Sequence, residues 1–451
     1  MNISRQIFKA CDIRGIYPSE LDEEGISKIG QAVTQLLNAK KIVIGRDMRL
    51  SSPALFESLK NGLLEMGIEI IDIGLCSTTM SYFANIYCKT DASIMITASH
   101  NPSNYNGLKI CGPEAQYITT FIKTTDIEDL IKTNGIKTSN FNGQITKVDI
   151  LDQYVNKITE NVKIDPQKIG KIVVDVGNGI EGMVISSLLS QLKIDYIPLY
   201  FESDGSFPNH EPNPLKTESL KVLQKEVLKQ NASLGISFDG DGDRIGFVDE
   251  KGEVINGDLI TIIIAKEILK TNAGSTIMYD LRSTWAVKEE IISSGGKPEM
   301  CVVGHGLIKP IMRKNNVIFA GELSNHYYFK DLNYTDNADM ALVQILSFLS
   351  GNGQKISLVT KPFKRYFHTG EINFEVENPK LKIEEISEKI QDGNKFTLDG
   401  LSVEFDNWWF NLRPSNNEPL LRLNLEAKTN DLMEEKKNYL ISLIGKEPSL
   451  N

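Results

Sequence analysis

The sequence predicts an α/β protein of four domains around a central cleft: three similar α/β sheet domains, then a smaller α+β C-terminal domain. Three observations carry this. A β-rich run, a helix-like segment and a second apolar strand recur three times before about residue 330. Each time, a third strand follows and ends in a polar loop. The pattern then changes near Lys364. Strand–helix–strand alternation marks sheets with helical crossovers, and 451 residues suit three or four domains of ~150 each.

The first unit opens on Lys41-Ile42-Val43-Ile44-Gly45-Arg46-Asp47, continues with Glu69-Ile70-Ile71-Asp72-Ile73, and closes on Ala92-Ser93-Ile94-Met95-Ile96 running into Thr97-Ala98-Ser99-His100. The second has Lys171-Ile172-Val173-Val174-Asp175, Asp195-Tyr196-Ile197-Pro198-Leu199, and the run from Ala232 to Phe238. The third has Thr276-Ile277-Met278-Tyr279-Asp280, Glu299-Met300-Cys301-Val302-Val303, and Val317-Ile318-Phe319-Ala320 into Gly321-Glu322-Leu323-Ser324. A period near 100 residues exceeds that of solenoid repeats and reads as a triplicated domain. Ligands of such sheets bind outside the carboxyl ends of strands, so the three loops are expected to share one cleft.

Beyond Lys364, Phe367 to Val376 reads as a strand and Leu381 to Ile390 as an amphipathic helix. Thr397 to Phe410 reads as strands turning at Asp399-Gly400, and Asp431 to Ile444 as a closing helix capped by Asn430. The polar loop here is Arg413-Pro414-Ser415-Asn416-Asn417-Glu418-Pro419. The resulting domains span 1–148, 149–251, 252–362 and 363–451.

Bulk properties exclude several classes. A net charge of −10 with no basic run argues against a nucleic-acid binder. The longest apolar run, near Leu259 to Ala265, is too short to span a bilayer, and the first residues lack a signal core. Cys11, Cys76, Cys88, Cys111 and Cys301 show no CxxC spacing and read as reduced thiols. A cytoplasmic protein without membrane or nucleic-acid partners is expected; oligomeric state stays open.

Chemistry concentrates in Asp239-Gly240-Asp241-Gly242-Asp243-Arg244. Three carboxylates at alternate positions repel unless a cation neutralises them, and the glycines let the backbone curl them toward one point. A hard ion with oxygen ligands, Mg²⁺ or Ca²⁺, fits, and Arg244 offers a fork for phosphate. An EF-hand loop would use Asp239, Asp241, Asp243 and Glu250, but its glycine position holds Arg244 and both flanks read as strands. Ser99 lacks the GxSxG elbow of an α/β-hydrolase, and its loop taken alone reads by default as a capped turn. Beside a carboxylate metal site, a phosphate-carrying serine becomes the sharper reading. Glu322, Ser324 and His326 suit sugar hydroxyls, His305 and Lys309 add charge nearby, and Arg413 with Ser415, Asn416 and Asn417 suits a phosphate.

Taken in order, Thr-Ala-Ser-His-Asn-Pro at 97–102, the Asp-Gly loop at 239–244, Gly-Glu-Leu-Ser at 321–324 and Arg-Pro-Ser-Asn-Asn-Glu-Pro at 413–419 resemble the α-D-phosphohexomutase family, in its phosphomannomutase/phosphoglucomutase branch. Phe8 to Gly15, Tyr105 to Lys109 and Asp204 to His210 support the likeness, which covers essentially the whole chain. The resemblance implies a phosphohexomutase that interconverts hexose 6-phosphate and hexose 1-phosphate, of mannose or glucose. It implies Ser99 as phosphoserine, Mg²⁺ on Asp239, Asp241, Asp243 and Ser99, and a hexose 1,6-bisphosphate as intermediate and activator. Arg14, Arg244, Arg282, His305, Glu322, Ser324, His326, Arg413, Ser415, Asn416 and Asn417 would meet substrate, with Lys109 and His326 as proton-transfer candidates. Departures are Cys11 where the family carries Tyr, Asn417 where it carries Thr, and the segment Ile110 to Thr125. Leu323 stands where phosphoglucosamine mutases carry Gln, which makes that activity the alternative. A non-catalytic sugar-phosphate binder would be expected to lose Ser99 or an Asp, and neither is lost.

Overall fold

A computed structural model describes residues 5–9, 12–415 and 420–449, with His305 described in its backbone only. Four sheets follow one another along the chain. In each of the first three, a central strand lies parallel to two neighbours. Lys41–Arg46 runs between Glu69–Leu75 and Ala92–Ile96, Ile172–Asp175 between Tyr196–Leu199 and Leu234–Phe238, and Thr276–Asp280 between Lys297–Cys301 and Phe319–Gly321. The strands alternate with helices that cover the sheets, as runs such as the fully buried Ala92–Ile96 and Leu234–Phe238 require.

An antiparallel strand then returns along the third parallel one: Tyr105–Cys111, Ile245–Asp249 and Tyr327–Phe329. The three polar loops are these reversals, each at the carboxyl end of a parallel strand. Two third-unit strands differ from expectation. Lys297–Cys301 starts two residues early because the Gly295-Gly296 turn ends the preceding helix and Lys297 pairs at once with Thr276. Phe319–Gly321 starts late because Val317 still bonds back to Met312 at the helix end, past left-handed Asn316. Strand Val254–Ile255, beyond the expected boundary at 251, pairs with Ile245–Asp249 and so extends the second sheet.

The fourth sheet is wholly antiparallel, in the order Phe367–Glu375, Leu420–Ala427, Trp408–Pro414, Leu401–Glu404, Asn394–Phe396. Thr397 lies outside the strands, and a bend at 406–407 breaks the expected run. Helices Pro379–Lys389 and Asn430–Ile444 pack on this sheet. The closing helix is capped by Thr429, whose hydroxyl accepts from Leu432 N at 3.3 Å, so Asn430 is its first residue and not its cap.

One apolar cluster runs from the first sheet (Val43, Ile71, Met95) through the second (Val174, Ile236) into the third (Ile277, Phe319, Phe329). The apolar run near Leu259 lies inside it, on the buried helix Gly257–Leu269. Among the described residues, no helix is long and apolar enough to cross a membrane. The fourth sheet has its own core around Phe374, Phe410, Leu421 and Leu440.

Hydrogen bonds tie the fourth sheet to the third unit. Trp285 donates its backbone N–H to Glu426 Oε1 at 2.9 Å and its indole N–H to Glu404 at 2.8 Å, while Trp409 also donates to Glu426 at 3.1 Å. Burial pushes the Glu426 carboxyl up to about 7, against the pull of these donors. The folded protein therefore holds this proton more tightly than the unfolded chain does. That stabilisation is present below the ordinary carboxyl range and is lost as pH rises toward 7. Glu426→Gln keeps an acceptor for both tryptophans but cannot ionise. Urea unfolding from pH 4.5 to 7.5 should show a decline of about 2–3 kcal/mol in the native protein that the variant lacks. Parallel pH curves for the two proteins would refute the buried-proton assignment.

Candidate active site

Ser99 sits on the reversal after Ala92–Ile96 with φ +52, a left-handed backbone that non-glycine residues rarely adopt. Arg49, fully buried, fastens this loop. Its guanidinium donates to the backbone carbonyls of Ser99 (2.8 Å), Asn101 (2.7 Å), Pro102 (2.7 Å) and Tyr105 (2.9 Å), and pairs with Asp47 at 3.2 Å. Arg14 adds a bond to Asn101 Oδ1 at 2.8 Å while held by Asp12. The Ser99 hydroxyl donates to Asp239 Oδ2 at 2.9 Å and lies 3.2 Å from His100 Nδ1. Two loops 140 residues apart in the chain thus meet at one oxygen.

The carboxylate loop curls as its glycines allow. Gly242 has φ +75, and a Cβ there would lie 1.8 Å from Glu181 Oε1. A Cβ on Gly240 would press to 2.7 Å from the Ser99 carbonyl. Asp239 Oδ1 gathers the backbone N–H groups of Gly242 (3.1 Å), Asp243 (3.1 Å) and Arg244 (3.2 Å), leaving Oδ2 for Ser99. Asp241 Oδ2 accepts from Thr78 Oγ1 at 2.6 Å and pairs with Lys109 at 2.7 Å; Lys109 also grips Asp243. Burial, then the neighbouring Asp241 and Asp243 carboxylates, push Asp239 well above the usual carboxylate range.

The loop's donor set fits a divalent cation. Ligand oxygens of Asp239, Asp241 and Asp243 lie within 4.8 Å of one another, and among the described residues buried Asp241 Oδ1 has no hydrogen-bond partner. All three carboxylates are buried, a costly arrangement that a hard cation relieves. Lys109 meets part of this need. Burial alone would lower its pKa, but Asp241 and Asp243 hold it above the ordinary lysine value.

The third loop joins the second through Ile245 N, which donates to the Asn325 carbonyl at 3.2 Å. His326 Nδ1 lies 2.9 Å from Ser324 Oγ and 3.3 Å from Glu322, and Nε2 lies 3.6 Å from Asp243 and 3.3 Å from Arg244 Nε. Burial and the Arg244 charge oppose protonation of His326, but hydrogen bonds to Asp243 and Glu322 prevail and set it at about 9. The Arg244 contact needs a bare Nε2, so it competes with that proton; the two carboxylates decide in favour of the imidazolium. Glu322 accepts from Tyr328 OH at 2.5 Å and from Gly304 N at 2.9 Å. Tyr327 and Tyr328 are fully buried and support this loop from behind, so they do not contact a sugar themselves. Leu323 N donates to Asp280, which also holds Arg282 at the mouth of the fourth sheet.

His305 begins the helix His305–Asn315. Lys309, on the same helix, is engaged internally: it pairs with buried Asp336 at 2.7 Å and lies over the Tyr82 and Tyr117 rings. In the fourth sheet, Arg413 and Ser415 face Glu371 and Arg422. Asn416, Asn417 and Cys11 lie outside the described residues. The structure therefore gathers Ser99, Lys109, Arg244, His326, Glu322, Ser324 and the three aspartates, with Arg14 on the serine side and Arg282 toward Arg413. Sequence reasoning overlooked Arg49, Thr78, Glu371 and Arg422. Arg49 carried a faint signal, an arginine two residues beyond the strand-ending Asp47; the other three carried none.

A serine beside a histidine invites the hydrolase reading, but His100 lacks the third member. Among the described residues no acceptor binds its Nε2, and burial holds its pKa well below the ordinary value.

Models of the phosphoglucomutase/phosphomannomutase family match in chain order: alpha/beta/alpha domain I at residues 5–138, domain II at 152–252, domain III at 256–366 and the C-terminal domain at 371–441. The chain is 40% identical over 446 residues to a phosphomannomutase of Methanocaldococcus jannaschii, covering 98% of each. It is 36% identical to a phosphomannomutase/phosphoglucomutase of Pseudomonas aeruginosa, over 95% of this chain and 93% of that one. A solved phosphoglucomutase/phosphomannomutase family protein from Burkholderia thailandensis superposes with a TM-score of 0.91 at 30% identity, over 99% and 100% of the two chains.

Proposed function

The chain belongs to the phosphoglucomutase/phosphomannomutase family, and from that premise we propose that it is a phosphohexomutase interconverting hexose 6-phosphate and hexose 1-phosphate through phosphoserine 99. The observation that carries this is the Ser99 hydroxyl hydrogen-bonded at 2.9 Å to Asp239 within a three-carboxylate loop. Asp239, Asp241, Asp243 and a phosphoserine oxygen would hold Mg²⁺. Bound there, the ion supplies charge neutralisation at the oxygens of the transferring phosphoryl group.

The chain's own residues do the rest. Arg49 and Arg14 hold the serine loop rigid, so that Ser99 Oγ keeps one position through both transfers. A substrate hydroxyl attacks phosphorus, its O–P bond forms as the Ser99 Oγ–P bond breaks, and its proton passes to a base. The bisphosphate turns in the cleft and returns its other phosphate to Ser99. Lys109, gripped by two carboxylates, suits charge neutralisation better than proton transfer. His326, held as imidazolium between Glu322 and Asp243, is better placed as the acid, giving a proton to the oxygen that leaves phosphorus. Arg413, Ser415, Asn416 and Asn417 would grip the phosphate that does not react, and Glu322 and Ser324 the sugar hydroxyls. Arg282 and His305 would complete the substrate contacts. A hexose 1,6-bisphosphate would prime Ser99 as activator.

The four units, read as domains of 1–148, 149–251, 252–362 and 363–451, each bring one loop. A cytoplasmic setting is part of the reading, supported by the free thiols Cys76, Cys88, Cys111 and Cys301. The sugar is tested by comparing turnover of mannose, glucose and glucosamine 1-phosphates under identical conditions. Mannose or glucose 1-phosphate should exceed glucosamine 1-phosphate by at least about tenfold in kcat/KM. Preference for glucosamine 1-phosphate would overturn the assignment.

A further inference from the structure

The fourth sheet sets two guanidinium groups side by side. Arg413 and Arg422 are directly opposed on the antiparallel strands Trp408–Pro414 and Leu420–Ala427, where like charges repel. Among the described residues, the Glu371 carboxylate bridges them. Arg413 donates to Glu371 Oε2 at 2.7 Å and Arg422 to Oε1 at 3.0 Å. From the third sheet, Arg282 comes within 3.5 Å of the same Oε2. Arg422 reaches the loop as well, donating to Ser415 Oγ at 3.2 Å.

Glu371 is aimed there by a backbone irregularity. The register between Phe367–Glu375 and Leu420–Ala427 slips between His368 and Glu371, with Gly370 at φ +72. Such bulges re-aim the side chains that follow them. Glu371 keeps 23% of its side chain exposed, so it can leave for water, whereas Arg413 at 3% cannot. Burial opposes ionisation of Glu371, but Arg413, Arg282 and Arg422 outweigh it and hold the carboxyl below its ordinary range.

Two donating guanidiniums around paired oxygens form the donor set that a phosphate dianion takes. We propose that Glu371 is an internal competitor for phosphate at the fourth sheet, occupying the donors of Arg413 and Arg422 until the ligand takes them. This rests on reading the Arg413–Ser415 loop as the grip on the non-reacting phosphate. Phosphate displaces Glu371, which also gives up Arg282, so capture of the ligand loosens a tie between the third and fourth sheets. A competitor that limits affinity has a use here. The bisphosphate must let go of this grip and turn between its two transfers, and uniformly tight binding would hold it back.

The test measures inhibition by inorganic phosphate, competing with hexose 1-phosphate, in full-length native protein, Glu371→Gln, Glu371→Asp, Arg422→Gln and Arg413→Gln. Glu371→Gln should bind phosphate about 3- to 10-fold more tightly, as expected when a part-buried competing charge is removed. It should lower KM for the sugar phosphate in proportion while kcat falls. Glu371→Asp, charged but shorter, should lie between and covers a folding defect in the first variant. Arg422→Gln should weaken phosphate about tenfold, the loss expected of one charge-assisted bond. Unchanged or weaker phosphate binding in both Glu371 variants overturns the competitor, and native-like binding in Arg422→Gln overturns Arg422 as a donor contested by Glu371 and phosphate. Arg413→Gln separates the underlying reading. If it binds phosphate as the native protein does, the phosphate loop itself is wrong and the inference falls with it.

Discussion

Ser99→Ala should lower mutase turnover by at least about 10³-fold, some 4 kcal/mol of transition-state stabilisation. Alanine is compatible with the loop, whose backbone is fastened through carbonyls by Arg49, so the change removes the hydroxyl and little else. The loss should fall on kcat, because binding of the sugar phosphate depends on other loops. Intact mass of the native protein should show one phosphate on a fraction of molecules, mapped by peptide mass to Ser99. Incubation with glucose 1,6-bisphosphate should raise that fraction, and Ser99→Ala should show neither effect. Turnover in the variant within tenfold of native would end the phosphoserine reading.

Asp241→Asn should lower turnover by about 10²-fold and raise the half-saturating Mg²⁺ concentration by about tenfold, as loss of one carboxylate ligand implies. Asparagine preserves the shape and can still accept from Thr78, which donates at 2.6 Å, but it withdraws one negative charge from the triad. Mg²⁺ binding by calorimetry should weaken in step with activity. A titration superimposable on native would remove Asp241 from the ligand set. Excess Mg²⁺ should restore part of the activity here and none in Ser99→Ala, which distinguishes a ligand from a phosphoryl carrier.

How much of this was legible depended on distance along the chain. Parallel strands such as Ala92–Ile96 and Thr276–Asp280 announced themselves, because strands covered on both faces are continuous apolar runs. Leu420–Ala427, an inner strand of the fourth sheet, was missed. Its Leu421, Leu423 and Leu425 alternate with Arg422, Asn424 and Glu426, the period of a half-buried strand, and this signal was passed over; what the alternation could not show is that the polar face is engaged by Glu371, Trp285 and Trp409. The Asp-Gly loop was readable as a cation site since its three ligands come from one short segment. Thr78, which donates to Asp241 from 163 residues away, leaves no local trace, and Lys109 was singled out by the resemblance of its segment but not as a partner of those carboxylates.

The sequence by itself determined the α/β units, the polar loop closing each of them, and the chemistry of those loops. Short segments contain both the hydrophobic period and the ligand types. Tertiary structure alone decided that Ser99 meets Asp239, that Lys109 is an ion-paired cation, that His326 stands between Glu322 and Asp243, and that Arg413 and Arg422 share Glu371. Each of these is a long-range electrostatic pairing. Its strength depends on burial and on separations of a few ångströms, which only the packed sheets supply.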